Sequence, residues 1–210
     1  MSLSAIFAQV NQSTKTVQKP APFQSDVTEE EALSIVQDMC GSRRYATRLI
    51  LTVGFGDWER DTWVSNLQKK IGKLEVCSAD DYFMKNGKYK FDSTNLKWAH
   101  QQCQGKVCTA LMNKKVVLVA NTNLYTDHIN MYNKMKEDFI IVQFIPKSFK
   151  SAIAMGQNNS KNIPESAFKK GYLAMKNMDI HPEVVPRMSA LLRIAVGEEV
   201  GEDEEVEEVE

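Results

Sequence analysis

Apolar positions in this chain come in short continuous runs separated by amphipathic stretches. The runs R-L-I-L-T-V (48–53), L-E-V-C (74–77), K-V-V-L-V-A (115–120) and F-I-I-V-Q-F-I (139–145) are compact and mostly β-branched or large, and each predicts a buried strand. Between them lie helical patterns. Thr28 with Glu31 three residues on forms a capping box; Leu33 and Val36 face inward, and Cys40-Gly41 supplies a stop. The segment Thr62–Ile71 places Trp63, Val64, Leu67 and Ile71 on one side; Ser93–Met112 and Leu124–Lys136 give two further helices. Continuous apolar strands separated by helices predict an α/β fold, three layers deep, with a mainly parallel central sheet covered on both faces. Such sheets bind ligands beyond the carboxyl ends of their strands, where Gly54, Asp80 and Asn121 all fall.

Composition adds two tails. Residues 1–27 are rich in Gln, Ser, Thr and Lys and include K-P-A-P-F, whose prolines resist helix and central strand, so they read as a flexible arm. Residues 197–210 hold nine acidic side chains and no basic one, and predict a disordered acidic tail. The net charge of −1 therefore hides an asymmetry. Outside the tail, 18 acidic side chains face 26 basic ones. A basic body suits RNA or DNA, although a mixed, solvated surface accounts for it equally well. The arm and tail offer contacts for a protein partner, or serve solubility alone. No apolar run approaches the ~18 residues of a membrane span, and the N-terminus lacks a secretory pattern. No membrane partner and a cytoplasmic or nuclear location are expected. The four cysteines are scattered without a C-x-x-C, which fits reduced thiols.

Three predicted loops carry candidate chemistry. The first, G-F-G-D-W-E-R-D-T (54–62), follows a strand and approaches the phosphate-loop pattern G-x-x-x-x-G-K-[ST]. Gly54 and Gly56 suit a backbone wrapped on phosphate, but Glu59 stands for Gly, Arg60 for Lys and Asp61 for the magnesium-holding hydroxyl, with Thr62 one place beyond. Arg60 retains the charge to attract phosphate, and Asp61 is the candidate metal ligand. A plain strand-to-helix turn explains the same residues. The second loop, S-A-D-D-Y-F (78–83), places Asp80 as a candidate general base with Asp81 beside it; solvated aspartates at a helix start are the alternative. The third, V-A-N-T-N (119–123), puts Asn121 and Asn123 where turn side chains bond the backbone.

Taken in order, D-D-Y-F, Y-K-F-D, A-H-Q-Q-C-Q and N-T-N resemble the P-loop kinase domain of NEDD4-binding protein 2 and of polynucleotide 5′-hydroxyl kinases. The resemblance rests on Asp80–Phe83, Tyr89, Phe91, Asp92, Ala99, His100, Cys103, Gln104 and Asn121–Asn123, and spans about residues 46–178. It divides the chain into an arm (1–27), an N-terminal helix and linker (28–45), a P-loop kinase-like domain (46–178), a C-terminal extension (179–196) and the tail (197–210). It implies ATP and Mg2+ as cofactors if the phosphate loop works, Asp80 activating an acceptor 5′-hydroxyl, and Arg60 in place of the loop lysine. It also implies a lid at N-N-S-K-N-I-P (158–164), with Asn158 where the family has arginine and Lys161 where it has histidine. The departures fall on chemistry: the loop glycine, lysine and serine are replaced, Ala120 precedes N-T-N where the family has Asp, and the lid arginine is gone. Phosphoryl transfer depends on positioning and charge, so such losses compound. The expected function is a kinase-derived nucleotide-binding, nucleic-acid-binding or assembly module with degraded catalytic motifs; the alternative is an active ATP-dependent polynucleotide 5′-hydroxyl kinase with a divergent loop.

Overall fold

The computed structural model describes residues 22–41, 47–55, 58–135, 137–159, 161 and 163–198. Most of the arm and the tail beyond residue 198 lie outside the described residues. The strands are β1 (Phe23–Asp26), β2 (Leu49–Val53), β3 (Leu74–Cys77), β4 (Met84–Lys85), β5 (Lys88–Tyr89), β6 (Val116–Val119), β7 (Phe139–Pro146) and β8 (Met188–Val196). The helices are α1 (Glu29–Gly41), α2 (Trp58–Lys70), α3 (Leu96–Met112), α4 (Thr126–Asn133), α5 (Phe149–Gln157) and α6 (Glu165–Lys176). Six strands form one sheet in the order β1-β8-β7-β2-β6-β3, with every neighbouring pair parallel. The other two form a small antiparallel ribbon.

The sheet separates two apolar layers. Ile50, Leu118, Ile140 and Val142 point to one face and pack under Val36 of α1 and Trp63 and Leu67 of α2. Leu49, Leu51, Val117 and Ile141 point to the other, under Cys103 and Val107 of α3 and Ile129 and Tyr132 of α4. This alternation is the two-residue period of a strand, and it explains why β2, buried at all five positions, reads as a continuous apolar run. Each fully buried Leu, Ile or Phe contributes about 1.5–3 kcal/mol of transfer free energy, so the sheet faces dominate stability.

Helix α1 begins as its capping box requires. The Glu31 carboxylate accepts from the Thr28 N–H at 2.8 Å, and the Glu31 N–H donates to the Thr28 hydroxyl at 3.2 Å. The Thr28 N–H, and then the Thr28 hydroxyl, which donates to the same carboxylate at 2.9 Å, hold the exposed Glu31 carboxyl below its ordinary 4.5. A depressed carboxylate stabilises the fold above its unfolded value, and that contribution is lost as pH falls through the folded one. Thr28→Ala should therefore cost about 1 kcal/mol near neutral pH. The difference between variant and wild type should shrink below about pH 4, read as melting midpoints across a pH series.

Several boundaries differ from the sequence expectation. Phe23–Asp26, placed in the flexible arm, is an edge strand in register with Ala190–Arg193 of β8. Its side chains are largely exposed, so backbone pairing rather than an apolar pattern holds it there. Residues 188–196, placed in an extension, form β8, which lies inside the sheet between β1 and β7 and is mostly buried. The domain therefore continues past residue 178. Helix α2 also starts at Trp58, four residues before the expected Thr62. Among the described residues no helix is long and apolar enough to cross a membrane.

Candidate functional site

The carboxyl ends of β2, β3 and β6 lie side by side, and the chain leaves β2 toward one face of the sheet and β6 toward the other. Divergence of this kind opens a crevice. A cavity of about 330 Å³ occupies it, walled by Phe55 after β2, Asp80 after β3 and Asn121 and Thr122 after β6. Arg60 of α2, Tyr89 of the ribbon and Phe91 just after it, Leu96 and His100 of α3, and Lys161 of the α5–α6 connection also line it.

The strand ends are braced by the N-T-N segment. The Thr52 hydroxyl donates to the Asn121 carbonyl at 2.8 Å, and the Asn121 side-chain oxygen accepts from the Ala79 N–H at 2.9 Å. The Asn123 amide donates to the Thr52 carbonyl at 2.9 Å, with Asn123 in the left-handed region (φ 44°) that Asn tolerates. Both asparagines are buried and bond backbone through their side chains, as the turn reading anticipated, and the Asn121 amide also donates to the Cys103 sulfur at 3.7 Å. Asn121 also borders the cavity; Asn123 does not.

Asp80 is the focus of the polar wall. One carboxylate oxygen accepts from the Lys161 ammonium at 2.7 Å, and the other accepts from the Tyr89 hydroxyl at 3.2 Å. The Lys161 ammonium stands 5.9 Å from the Tyr89 ring centre. Burial, and then the adjacent Asp80 carboxylate, push the Tyr89 phenol up, so it stays protonated and donates. Burial lowers His100 against the opposing pull of Asp80, which keeps its imidazole neutral at neutral pH. The thiol of Cys103, behind the wall, is pushed up to about 11 by burial and is not a nucleophile at neutral pH.

Arg60 is 4% exposed and turns to its chain neighbour: Nε and Nη2 both donate to one Asp61 oxygen, at 3.1 and 3.0 Å. Asp61 is exposed and borders a smaller hollow beside the cavity, shared with Asp81. Asp81 pairs with Lys106 at 3.7 Å. Gly54 has φ +111° and donates its N–H to the Thr122 carbonyl at 2.8 Å. Thr62 is half-buried on α2 and borders neither hollow, and Gly56 lies outside the described residues.

The structure thus brings Arg60, Asp80, Asn121 and Lys161 to one cavity and places Asp61 and Asp81 next to it. Asn158 is elsewhere. Its amide closes α5 by donating to the Ala154 carbonyl at 3.0 Å, and it borders a separate cleft with Glu29, Glu59 and the end of β8. In that cleft burial, and then Glu59, raise the Glu29 carboxyl. The segment expected to be a lid is stapled by Asn159, which accepts from the Ile163 N–H at 2.7 Å and donates to the Ile163 carbonyl at 2.9 Å. Among the described residues no group of three or more His, Cys, Asp or Glu side chains is arranged to hold a metal ion, and Asp61, the candidate ligand, is occupied by Arg60. ATP with Mg2+ would have to enter a crevice whose charged side chains already have partners.

Leu96 belongs to no motif in the sequence, and Tyr89, Phe91 and His100 carry only a motif match or a packing role there, yet all four line the cavity. The available signal was spacing: residues 89 and 91 share one side of an extended segment, and 96 and 100 share one side of a helix. Neither the protein-family models nor the curated proteins contain a match to this chain.

Proposed function

We propose that this protein is a kinase-derived P-loop domain that binds nucleotide or nucleic acid in the crevice at the carboxyl ends of β2, β3 and β6, with phosphoryl transfer degraded. The observation that carries this reading is the 2.7 Å ion pair between Lys161 and Asp80. The carboxylate that the resemblance assigns to hydroxyl activation is held by a cation from the segment that the resemblance assigns to the lid. A base so engaged is a poor proton acceptor until the pair opens. The Arg60–Asp61 pairing supports the same reading, because the stand-in for the loop lysine faces a carboxylate rather than a free phosphate position. Glu59 adds negative charge where the pattern requires a bare backbone. RNA or DNA remains the proposed macromolecular partner, through the excess of basic side chains outside the tail.

One observation favours an active polynucleotide 5′-hydroxyl kinase instead: Asp80 and Arg60 do line the same cavity. The two readings separate in calorimetry with Mg·ATP and in a phosphate-transfer assay on a 5′-hydroxyl oligonucleotide. The degraded-domain reading expects wild type to bind Mg·ATP weakly or not at all, Glu59→Gly to gain affinity, and transfer to stay at background. Micromolar binding lost in Arg60→Ala, with transfer abolished in Asp80→Asn, would establish the active kinase and overturn the reading.

A further inference from the structure

The charges around the cavity point to the kind of ligand it holds. Arg60, Asp80 and Lys161 are the charged side chains of its wall, and each is already engaged: Arg60 with Asp61, and Lys161 with Asp80. The Gly54 N–H, a donor that a phosphate loop would turn toward its ligand, is spent on the Thr122 carbonyl. A phosphate entering here would meet the Asp80 carboxylate and lose its own hydration, while the charges of Arg60 and Lys161 are already balanced by Asp61 and Asp80. Most of the rest of the wall is apolar and aromatic, including Phe55, Tyr89, Phe91 and Leu96, with His100, Asn121 and Thr122 as its uncharged polar members. Phe91 is 56% exposed, although it leans on the buried Phe83 at 5.2 Å, so a ring at the mouth of the cavity has an uncovered surface. At about 330 Å³ the cavity is at the small end of ligand pockets, which run about 300–1,000 Å³.

We infer that this cavity takes an uncharged planar heteroaromatic ligand of nucleoside size, stacked at Phe91 with hydrogen-bond donors directed to the Asp80 carboxylate, and that it selects against a phosphate on that ligand. Asp80 suits the role because a carboxylate offers about four acceptor positions and only two are used, by Lys161 and Tyr89. His100 supplies a second polar handle without adding charge. The inference rests on the proposed reading of the crevice as a nucleotide or nucleic-acid site and narrows it: the base or nucleoside is what the cavity recognises, and a phosphate carried to the wall with it counts against binding.

The test is calorimetry on the full chain with the four ribonucleosides, their 5′-monophosphates, and a single-stranded RNA of about a dozen nucleotides. At least one nucleoside should bind at least tenfold more tightly than its own monophosphate, and Phe91→Ala should weaken that nucleoside about tenfold, the scale of one lost base–aromatic stack. A monophosphate that binds as tightly as its nucleoside overturns the inference while leaving the nucleotide-binding reading in place. RNA binding without binding of any nucleoside also overturns it, and moves recognition to another surface. Absence of binding by all three classes overturns both.

Discussion

Gly54→Ala should destabilise the protein by about 3 kcal/mol or more, placing it among the severe point substitutions. Two effects combine. At φ +111° the backbone lies in a region that only glycine occupies without strain, which costs about 1–3 kcal/mol. A Cβ at this position would also stand 2.2 Å from the carbonyl oxygen of Phe144 and 3.1 Å from its carbon. That obstacle is backbone of β7, where Phe144 is in register with Ile194 of β8 and the preceding Gln143 with Val53 of β2, so it cannot rotate away as a side-chain tip would. Urea unfolding should show a lower midpoint with the slope unchanged. A loss under about 1 kcal/mol would mean that the turn after β2 relaxes freely and that its glycine is replaceable. The consequence for function is direct. This glycine, which in sequence reads as one that wraps phosphate, is required by the close approach of the chain leaving β2 to the β7 backbone, so loss of ligand binding in a Gly54 variant would say nothing about phosphate.

The same distinction governs how much was legible in the sequence. β2, β6 and β7 announce themselves because both faces of each are covered, and burial on two sides leaves a continuous apolar run. β1 does not, because an edge strand is held by its backbone and F-Q-S-D carries no strand pattern. β8 differs for another reason: M-S-A-L-L-R-I-A-V is apolar enough for a strand, but the resemblance ends at about residue 178 and gives the segment beyond it no element. The short ribbon had a local signal that went unused: Asn86 and Gly87, at φ 52° and 75°, make the two-residue turn between Lys85 and Lys88.

Within the site, residue types were legible and engagements were not. The sequence places Asp80, Arg60 and Asn121 at strand ends, and topology brings them together. It cannot show that Lys161, 81 positions away from Asp80, reaches the carboxylate, or that Arg60, while lining the cavity, pairs with its chain neighbour. Side-chain pairing depends on where the α5–α6 connection lands, which depends on how α6 packs against the turn after β2. That packing is governed by one ring.

Gly171→Ala is expected to act on the crevice through that ring, from a residue that does not line it. A Cβ at Gly171 in α6 would fall 1.7 Å from Cε2 and 2.0 Å from Cζ of Phe55. The ring cannot simply shift. It stacks on Phe168 at 4.6 Å with 27° between planes, and Phe168 is itself backed by Gly156, where an added Cβ would meet the Phe168 ring at 3.0 Å. Overpacking into such a closed stack costs typically about 1–3 kcal/mol, and the upper end is expected here because no neighbour yields. Phe55→Ala alone should cost about 3 kcal/mol or more as a buried aromatic truncation. The double variant should cost less than the two singles together, with a coupling of at least about 1 kcal/mol, because removing the ring opens the space that the methyl needs. Unfolding midpoints of the four proteins give the coupling, and crevice-ligand affinity should fall in Gly171→Ala as Phe55 leaves the wall. Strict additivity would show instead that α6 moves as a body to admit the methyl. Lys161, which precedes α6 in the chain, would then be expected to shift with it, and the Lys161–Asp80 pair would be as adjustable as the helix that follows it.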